Sequence, residues 1–268
     1  MIKITNKIRF KSQKNRMNKI GDIENAINLF KKRKNKNLFF LLKNRYGWMK
    51  KFIKNNDKGL EVGAGAGFSK EFISYPNFKI SDLASFKHLD HKNIDAQNTN
   101  FDENSYDFVI ASNMIHHVPY PKKFLNEMYK ILKPGGKLII QEGYCSITYQ
   151  IITILMKHEG FDFTKDVWSA EDSTSSKDDI WAGNIAVPHL IFDNLDQFKD
   201  RLGSKFRIKH QKIYECFIFL NSGGVSSKTF YIPLNNFLLK IIKIIDKVLV
   251  GLFPKIFGMG RQIVLEKI

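Results

Sequence analysis

At 268 residues, 43% hydrophobic and 26% charged, the chain is long enough for one large α/β domain or one domain with appendages, and too apolar for global disorder. Its two cysteines, Cys145 and Cys216, exclude a disulfide-rich scaffold and a cysteine zinc cluster, and they suit a reducing compartment. The formal charge of +17 is concentrated, because residues 1–58 hold 18 Lys/Arg against three acids and the other 210 residues carry only +2. A basic segment of this kind fits a solvated arm, or attraction to nucleic acid, anionic lipid or an acidic substrate, and charge alone selects none of these. The opening MIKITNKIRF has no long apolar run, so no secretory signal is expected. No stretch of about 18 uncharged apolar residues predicts a spanning helix. The expected location is cytoplasmic, with peripheral contact to an anionic membrane surface as the variant.

In chain order, residues 1–20 show no periodicity and are expected to be irregular. Apolar residues then recur at Ile20, Ile23, Ile27 and Phe30, and again at Leu38, Leu41, Leu42, Tyr46 and Met49, which predicts two amphipathic helices. From residue 59 short apolar runs alternate with helical stretches, the pattern of a doubly wound parallel sheet. Strands are predicted at Gly59–Gly63, Phe78–Ser81, Lys92–Asp95, Tyr106–Ser112 and Lys137–Gln141, with helices near 67–74, 84–89 and 121–132. Residues 144–206 read as an insertion with helices near 147–157 and 189–202. Strands at Arg207–Leu220 and Arg261–Glu266 close the sheet. Between them, residues 234–257 read as a helical insertion whose stretch NNFLLKIIKIIDKVLVGLF is almost wholly Leu, Ile, Val and Phe, with Lys240, Lys243 and Lys247 recurring at 3 and 4 residues. Its wide apolar face can pack on its own domain, on another chain or in a membrane interface.

The sharpest local feature is Leu60-Glu61-Val62-Gly63-Ala64-Gly65-Ala66-Gly67-Phe68, a strand running into a glycine-rich turn. Glycines suit a backbone that turns tightly and lets a ligand approach. The spacing is not that of the dinucleotide fingerprint, and Phe68 falls where a diphosphate would approach the helix. Glu61 would repel a diphosphate but attract the amino group of an amino-acid-like cofactor. Asp82, at the end of the second strand, can accept both hydroxyls of a ribose.

Together with Ser81-Asp82-Leu83, Asp95-Ala96, Phe101–Val109, His116-His117-Val118 and Leu132-Lys133-Pro134-Gly135-Gly136-Lys137-Leu138, this turn resembles the class I S-adenosylmethionine-dependent methyltransferases, within them the type 11 group. The resemblance covers about residues 45–143. It implies a Rossmann-like α/β fold with a doubly wound seven-stranded sheet, the last strand antiparallel, and helical insertions. The implied division is 1–45, basic arm and helices; 46–143, cofactor-binding core; 144–206, substrate-side insertion; and 207–268, the last two strands with the helical insertion 234–257. It implies S-adenosylmethionine as cofactor, with Glu61, Gly63, Ala64, Gly65 and Gly67 around the methionine moiety. Asp82 would hold the ribose, Leu83 would pack on adenine, Asp95 and Ala96 would meet the adenine edge, and Asn113 and Met114 would pass near the sulfonium.

Methyl transfer to a hydroxyl needs a base, and histidine is the natural one near neutral pH. His116 and His117, after the fourth strand, and His158 in the insertion are the candidates. Glu159 and Asp162, beside His158, can bind an acceptor or form a polar turn. The stretch 157–162, with 183–188 and 221–224, is similar to methyltransferases encoded among polysaccharide-synthesis genes. No metal site is expected, since no second histidine follows His158-Glu159 at helical spacing. The expected activity is methylation of a hydroxyl of a small molecule, sugar or lipid-linked saccharide. An RNA methyltransferase using the basic arm and a non-catalytic S-adenosylmethionine-binding protein are the alternatives. Acceptor identity and oligomeric state are not readable from these motifs.

Overall fold

A computed structural model describes residues 2–10, 20–157, 159–179, 181–225 and 229–268. The chain begins with β1 (Lys7–Arg9), then α1 (Ile20–Lys31), α2 (Lys36–Gly47) and a 3-10 turn at Met49–Phe52. Next come β2 (Gly59–Val62), a 3-10 turn at Phe68–Glu71, β3 (Phe78–Ile80), β4 (Tyr106–Ser112) and a 3-10 turn at Ile115–His117. They are followed by α3 (Pro121–Ile131), β5 (Leu132–Gly143), α4 (Ile147–Met156), β6 (Gly160–Asp162), α5 (Val187–Phe192) and α6 (Leu195–Leu202). The chain closes with β7 (Phe206–Tyr214), α7 (Phe217–Leu220), α8 (Asn236–Leu252), α9 (Pro254–Phe257) and β8 (Gly260–Lys267).

Six strands form the main sheet in the order β3-β2-β4-β5-β8-β7. The first four run parallel, and β8 is antiparallel to both β5 and β7. This is the doubly wound architecture expected, with the last strand antiparallel. The central segments of β4, β5 and β8 are apolar runs because both faces are covered there, whereas the edge strand β7 alternates with exposed polar residues. Leu60, Val62, Val109, Ala111, Leu138 and Ile140 point to one core, shared with α3, α5 and α6. Phe108, Ile110, Ile139 and Val264 point to the other, which α1 and α2 fill with Ile23, Phe30, Leu38, Leu41 and Leu42. The basic N-terminal helices are therefore part of the domain's packing.

The structure corrects several expectations. Residues 92–95 do not form the seventh strand: Asn93 has φ +55°, which breaks the extended run, and only single bridges remain at Ser81–His91 and Asp95–Asn98. Residues 84–89 are not helical, because Asp82 Oδ1 accepts the Ala84 amide and the His91 amide returns to Ile80. The helix expected at 67–74 shrinks to the Phe68–Glu71 turn, with Phe68, Phe72 and Ile73 buried and Pro76 close behind. The strand expected to reach Leu220 stops at Tyr214, where Glu215 turns with φ +50°, and α7 follows. The helix 189–202 is two helices, divided where the Asn194 side chain caps α6. Residues 7–9 are ordered in β1, antiparallel to β6, and Arg9 Nη2 donates to the Thr174 carbonyl at 2.5 Å.

Candidate active site at the carboxyl ends of the strands

The parallel register sets β2 beside both β3 and β4, with Glu61 opposite Ile80 and Ile110. The glycine turn after β2 therefore opens between the ends of those strands, the place where open α/β sheets bind ligands. The Ala64 amide donates to the Ser81 carbonyl at 3.0 Å, and the Gly65 amide to Asp82 Oδ2 at 2.8 Å. The Ile94 amide donates to the Asp82 carbonyl at 2.9 Å, which brings Asp95 and Ala96 to the same rim. Gly63, at φ +66°, lies against Met114: a Cβ there would come 2.8 Å from the Met114 Cβ. Asn113, with φ +51°, turns the chain at the end of β4. At Gly65, φ is +52° and a Cβ would point into open space. Leu83 is 47% exposed beside this opening. The fold thus brings together Glu61, the glycine turn, Asp82, Leu83, Asp95, Ala96, Asn113 and Met114 at one end of the sheet.

Glu61 forms the floor. Its carboxyl is buried, the Ser69 hydroxyl donates to it, and the Tyr46 hydroxyl lies 3.5 Å away. Burial pushes the carboxyl up to about 8, against the hydrogen bonds from Ser69 and Tyr46 and with the Asp82 charge in support. Its described hydrogen-bond partners are these neutral hydroxyls, so an incoming ammonium group would meet an acid poised to ionise. His88 completes the wall, with Nε2 2.8 Å from the Gly65 carbonyl. Sequence reasoning missed Tyr46, Ser69 and His88. Tyr46 comes from α2, which lies outside the strand–turn motifs although only 15 residues before Glu61, and only its place on an amphipathic stripe was visible. Ser69, two residues after the turn, could have been found as the first hydroxyl able to fold back onto Glu61.

A second cluster follows β4. His116 Nδ1 lies 2.7 Å from Glu142 Oε2 at the end of β5, and His116 Nε2 lies 3.5 Å from Glu159. His117 Nε2 is 3.8 Å from the other Glu159 oxygen. Burial alone would push the His116 ring down, but Glu142 and Glu159 outweigh it and raise the ring to about 10. Burial and the adjacent His116 charge push His117 down to about 4. Glu142 is held below the usual carboxylate range because His116 outweighs its desolvation. Glu142 also accepts the Ile115 and Gly143 amides at 2.7 and 3.0 Å, which fixes the 3-10 turn carrying both histidines. The loop at Gly183 closes over the cluster, since a Cβ there would come within 3.0–3.1 Å of His116 and Glu159.

His116, His117 and Glu159 place one ligand atom each within 4.8 Å of one another, a set able to hold a metal ion where none was expected. A proton serves the same charges: His116 as imidazolium between two carboxylates leaves its ring no lone pair for a metal. His158, the third expected histidine, lies outside the described residues. Asp162 is not part of the cluster. It lies 3.4 Å from Lys7 and accepts from the Thr164 hydroxyl, so it anchors β1 and the insertion. Beyond β5 and β8, at the same end of the sheet, a cavity of about 570 Å³ is lined by Tyr144, Asn194, Gln197, Gln211 and Arg261.

Comparison with known proteins finds similarity to methyltransferases. Residues 60–140 match the type 11 family described as "Methyltransferase domain". The polyketide synthase component of lovastatin nonaketide synthase from Aspergillus terreus is 26% identical over 170 residues, covering 54% of this chain and 5% of that protein. The chain thus corresponds to a small part of that relative's length. Sterol 24-C-methyltransferase from Kluyveromyces lactis is 34% identical over 115 residues, 36% of this chain and 31% of that enzyme. Among solved structures, a SAM-dependent methyltransferase from Archaeoglobus fulgidus superposes with TM-score 0.51 at 16% identity, covering 85% of this chain and 93% of that one. At that identity the likeness shows a shared fold.

Proposed function

We propose that this chain, whose residues 60–140 form a methyltransferase domain, transfers a methyl group from S-adenosylmethionine to a hydroxyl of a saccharide or lipid-linked saccharide. The observation that carries the reading is the cradle itself: a buried acid at about pKa 8, a turn whose Gly65 leaves open space, and Asp82 locked to that turn. These groups fit an amino-acid nucleoside. Glu61 would take the ammonium group, and Asp82 has lone pairs left for ribose hydroxyls beyond those given to Gly65 and Ala84. Leu83 offers exposed apolar surface to the base, with Asp95 and Ala96 at its edge. Asn113 and Met114 border the reacting end. When bound, S-adenosylmethionine supplies an activated methyl on a cationic sulfur.

His117 is the base in this reading. It is neutral across the physiological range, whereas His116 holds its proton between Glu142 and Glu159. As the acceptor oxygen attacks, His117 takes the hydroxyl proton, and the imidazolium formed is stabilised by Glu159. His116 and Glu142 position that base and set its charge. A hydroxyl acceptor suits a site built around a neutral base. A saccharide is an acceptor of that kind, rich in hydroxyls; the cavity beyond β5 and β8 is lined by none of Glu61, Asp82, His116, His117 and Glu159 and carries no part of this reading. In the described N-terminal region Lys7, Arg9, Arg33 and Arg45 are engaged with Asp162, Glu71 and Glu215, which favours a fold-building use of those charges over an RNA-binding one.

A second reading, methylation at carbon, draws on the similarity to a sterol 24-C-methyltransferase. Incubation with methyl-labelled S-adenosylmethionine and envelope glycolipid, sterol and RNA fractions separates the readings. Label in the glycolipid fraction, lost on His117→Asn, is the expected result. Label confined to RNA, or to a carbon of the sterol fraction, removes the proposal.

A further inference from the structure

The outward face of α8 is apolar along its whole length. Phe237, Ile241, Ile244, Ile245, Val248 and Leu252 are each 38–70% exposed. At the helical repeat they fall within an arc of about 100°. The opposite face, with Leu239, Asp246 and Val250, is buried at 1–3% and fastens the helix to the body. Asp246 accepts the Cys216 and Phe217 amides at 2.9 Å, so the one acid of α8 is spent on the inner side. Lys240 and Lys247 lie along one border of the exposed arc, and Lys243, which donates to Asn44 Oδ1, lies further round on the same side. Phe253 and Ile256 extend the exposed apolar surface onto α9, beside Lys255. The outer surface therefore joins a broad apolar stripe to a row of positive charge with no acid in it.

We propose that this face lies in the headgroup–acyl boundary of an anionic bilayer, the stripe inserted and the lysine row on lipid phosphates. The inference rests on α8 and not on the proposed reaction. With 17 residues the helix is about 26 Å long, short of the roughly 30 Å hydrocarbon core, and no described helix is long and apolar enough to cross a membrane. A large apolar face bordered by lysines is the pattern of a helix lying in the interface plane. The charge pattern selects lipid over a second copy of the chain: a two-fold contact through this face would offer each lysine row only apolar surface and more lysines. Anionic headgroups supply the missing counter-charge.

Flotation of the full chain tests this with vesicles of phosphatidylglycerol and phosphatidylcholine, against vesicles of phosphatidylcholine alone. The chain is expected to float with the anionic vesicles about tenfold more than with the neutral ones. Ile244→Asn with Val248→Asn should abolish flotation, and Lys240→Gln with Lys247→Gln should weaken it on anionic vesicles only, both with the wild-type melting midpoint. Ile244→Trp should shift its emission to the blue on anionic vesicles. Equal flotation of wild type and Ile244→Asn/Val248→Asn overturns the proposal. Absence of flotation does so too, and a sedimenting dimer dissolved by those substitutions would assign the face to a second copy. Binding of S-adenosylhomocysteine by the same preparations, retained in every variant, separates this outcome from failure of the enzymatic reading.

Discussion

His116 Nδ1 and Glu142 Oε2 stand 2.7 Å apart, and this contact decides which of two adjacent histidines holds a proton. With Glu159 on the other side of the ring, His116 keeps its charge and His117, tilted 40° against it with ring centroids 4.2 Å apart, stays neutral. His117→Asn should therefore lower kcat by about 10²–10⁴ with little change in cofactor affinity. With S-adenosylmethionine saturating, so that Glu61 is already ionised in the complex, the wild-type pH profile of kcat/KM for the acceptor should lose activity in acid only as pH falls toward about 4, where His117 protonates. An inflection near the ordinary imidazole value of about 6.5 would contradict the assignment.

Glu142→Gln removes one of the carboxylates that hold the His116 proton. The His116 ring should then titrate lower while Glu159 keeps it charged in acid, and because Glu142 also raises His117 directly, the acid limb of the rate profile should move down in pH. A purely structural Glu142 would lower the rate at every pH and leave the limb in place, so the position of the limb is the readout.

If a proton rather than an ion occupies the center of the His116, His117 and Glu159 cluster, a chelator should leave methyl transfer unchanged after prolonged dialysis. Loss of activity, restored by one divalent metal and accompanied by stoichiometric metal in the dialysed protein, would make these three residues ligands instead.

Arg45 on α2 and Glu215 after β7 form a buried pair, with Arg45 Nη2 2.6 Å from Glu215 Oε1 and the guanidinium over Phe219. Removing one partner leaves a buried charge, so Arg45→Met should cost about 3–5 kcal/mol in urea unfolding. Arg45→Met with Glu215→Gln should cost less than Arg45→Met alone. Burial already pushes Glu215 up while Arg45 opposes it, so without Arg45 its folded pKa rises further above the unfolded value. The deficit of Arg45→Met should then be smallest in mild acid and grow as pH rises through that pKa.

What the amino-acid sequence revealed was the chemistry written locally. Glu61, the glycines and Asp82 lie at the ends of consecutive strands, and strand–turn spacing was enough to place them together. Alternation between the two cores made β2, β4, β5 and β8 readable, since strands buried on both faces are continuous apolar runs. Partners brought in by the fold were not readable. Tyr46 reaches Glu61 from α2, and Glu159 reaches both histidines from the insertion. Glu142 had one signal, an acid just before Gly143 at the end of an otherwise apolar strand, but nothing nearby named His116 as its partner. The strand expected at Lys92–Asp95 failed because Asn93 turns there, and Lys7–Arg9 became a strand because β6, more than 150 residues away, supplied its hydrogen bonds.

In the proposed reaction the glycine turn and Glu61 hold an amino-acid nucleoside. The most direct measurement of this binding is calorimetric titration of the full chain with S-adenosylhomocysteine near neutral pH, in buffers of different ionisation enthalpy. Since Glu61 is raised to about 8, it is mostly protonated there and must ionise to meet the ligand's ammonium group. The expected result is one site per chain, binding coupled to release of up to one proton, and loss of both the proton release and at least about tenfold in affinity in Glu61→Gln. No binding heat in any buffer, or binding that Glu61→Gln leaves untouched, would contradict it.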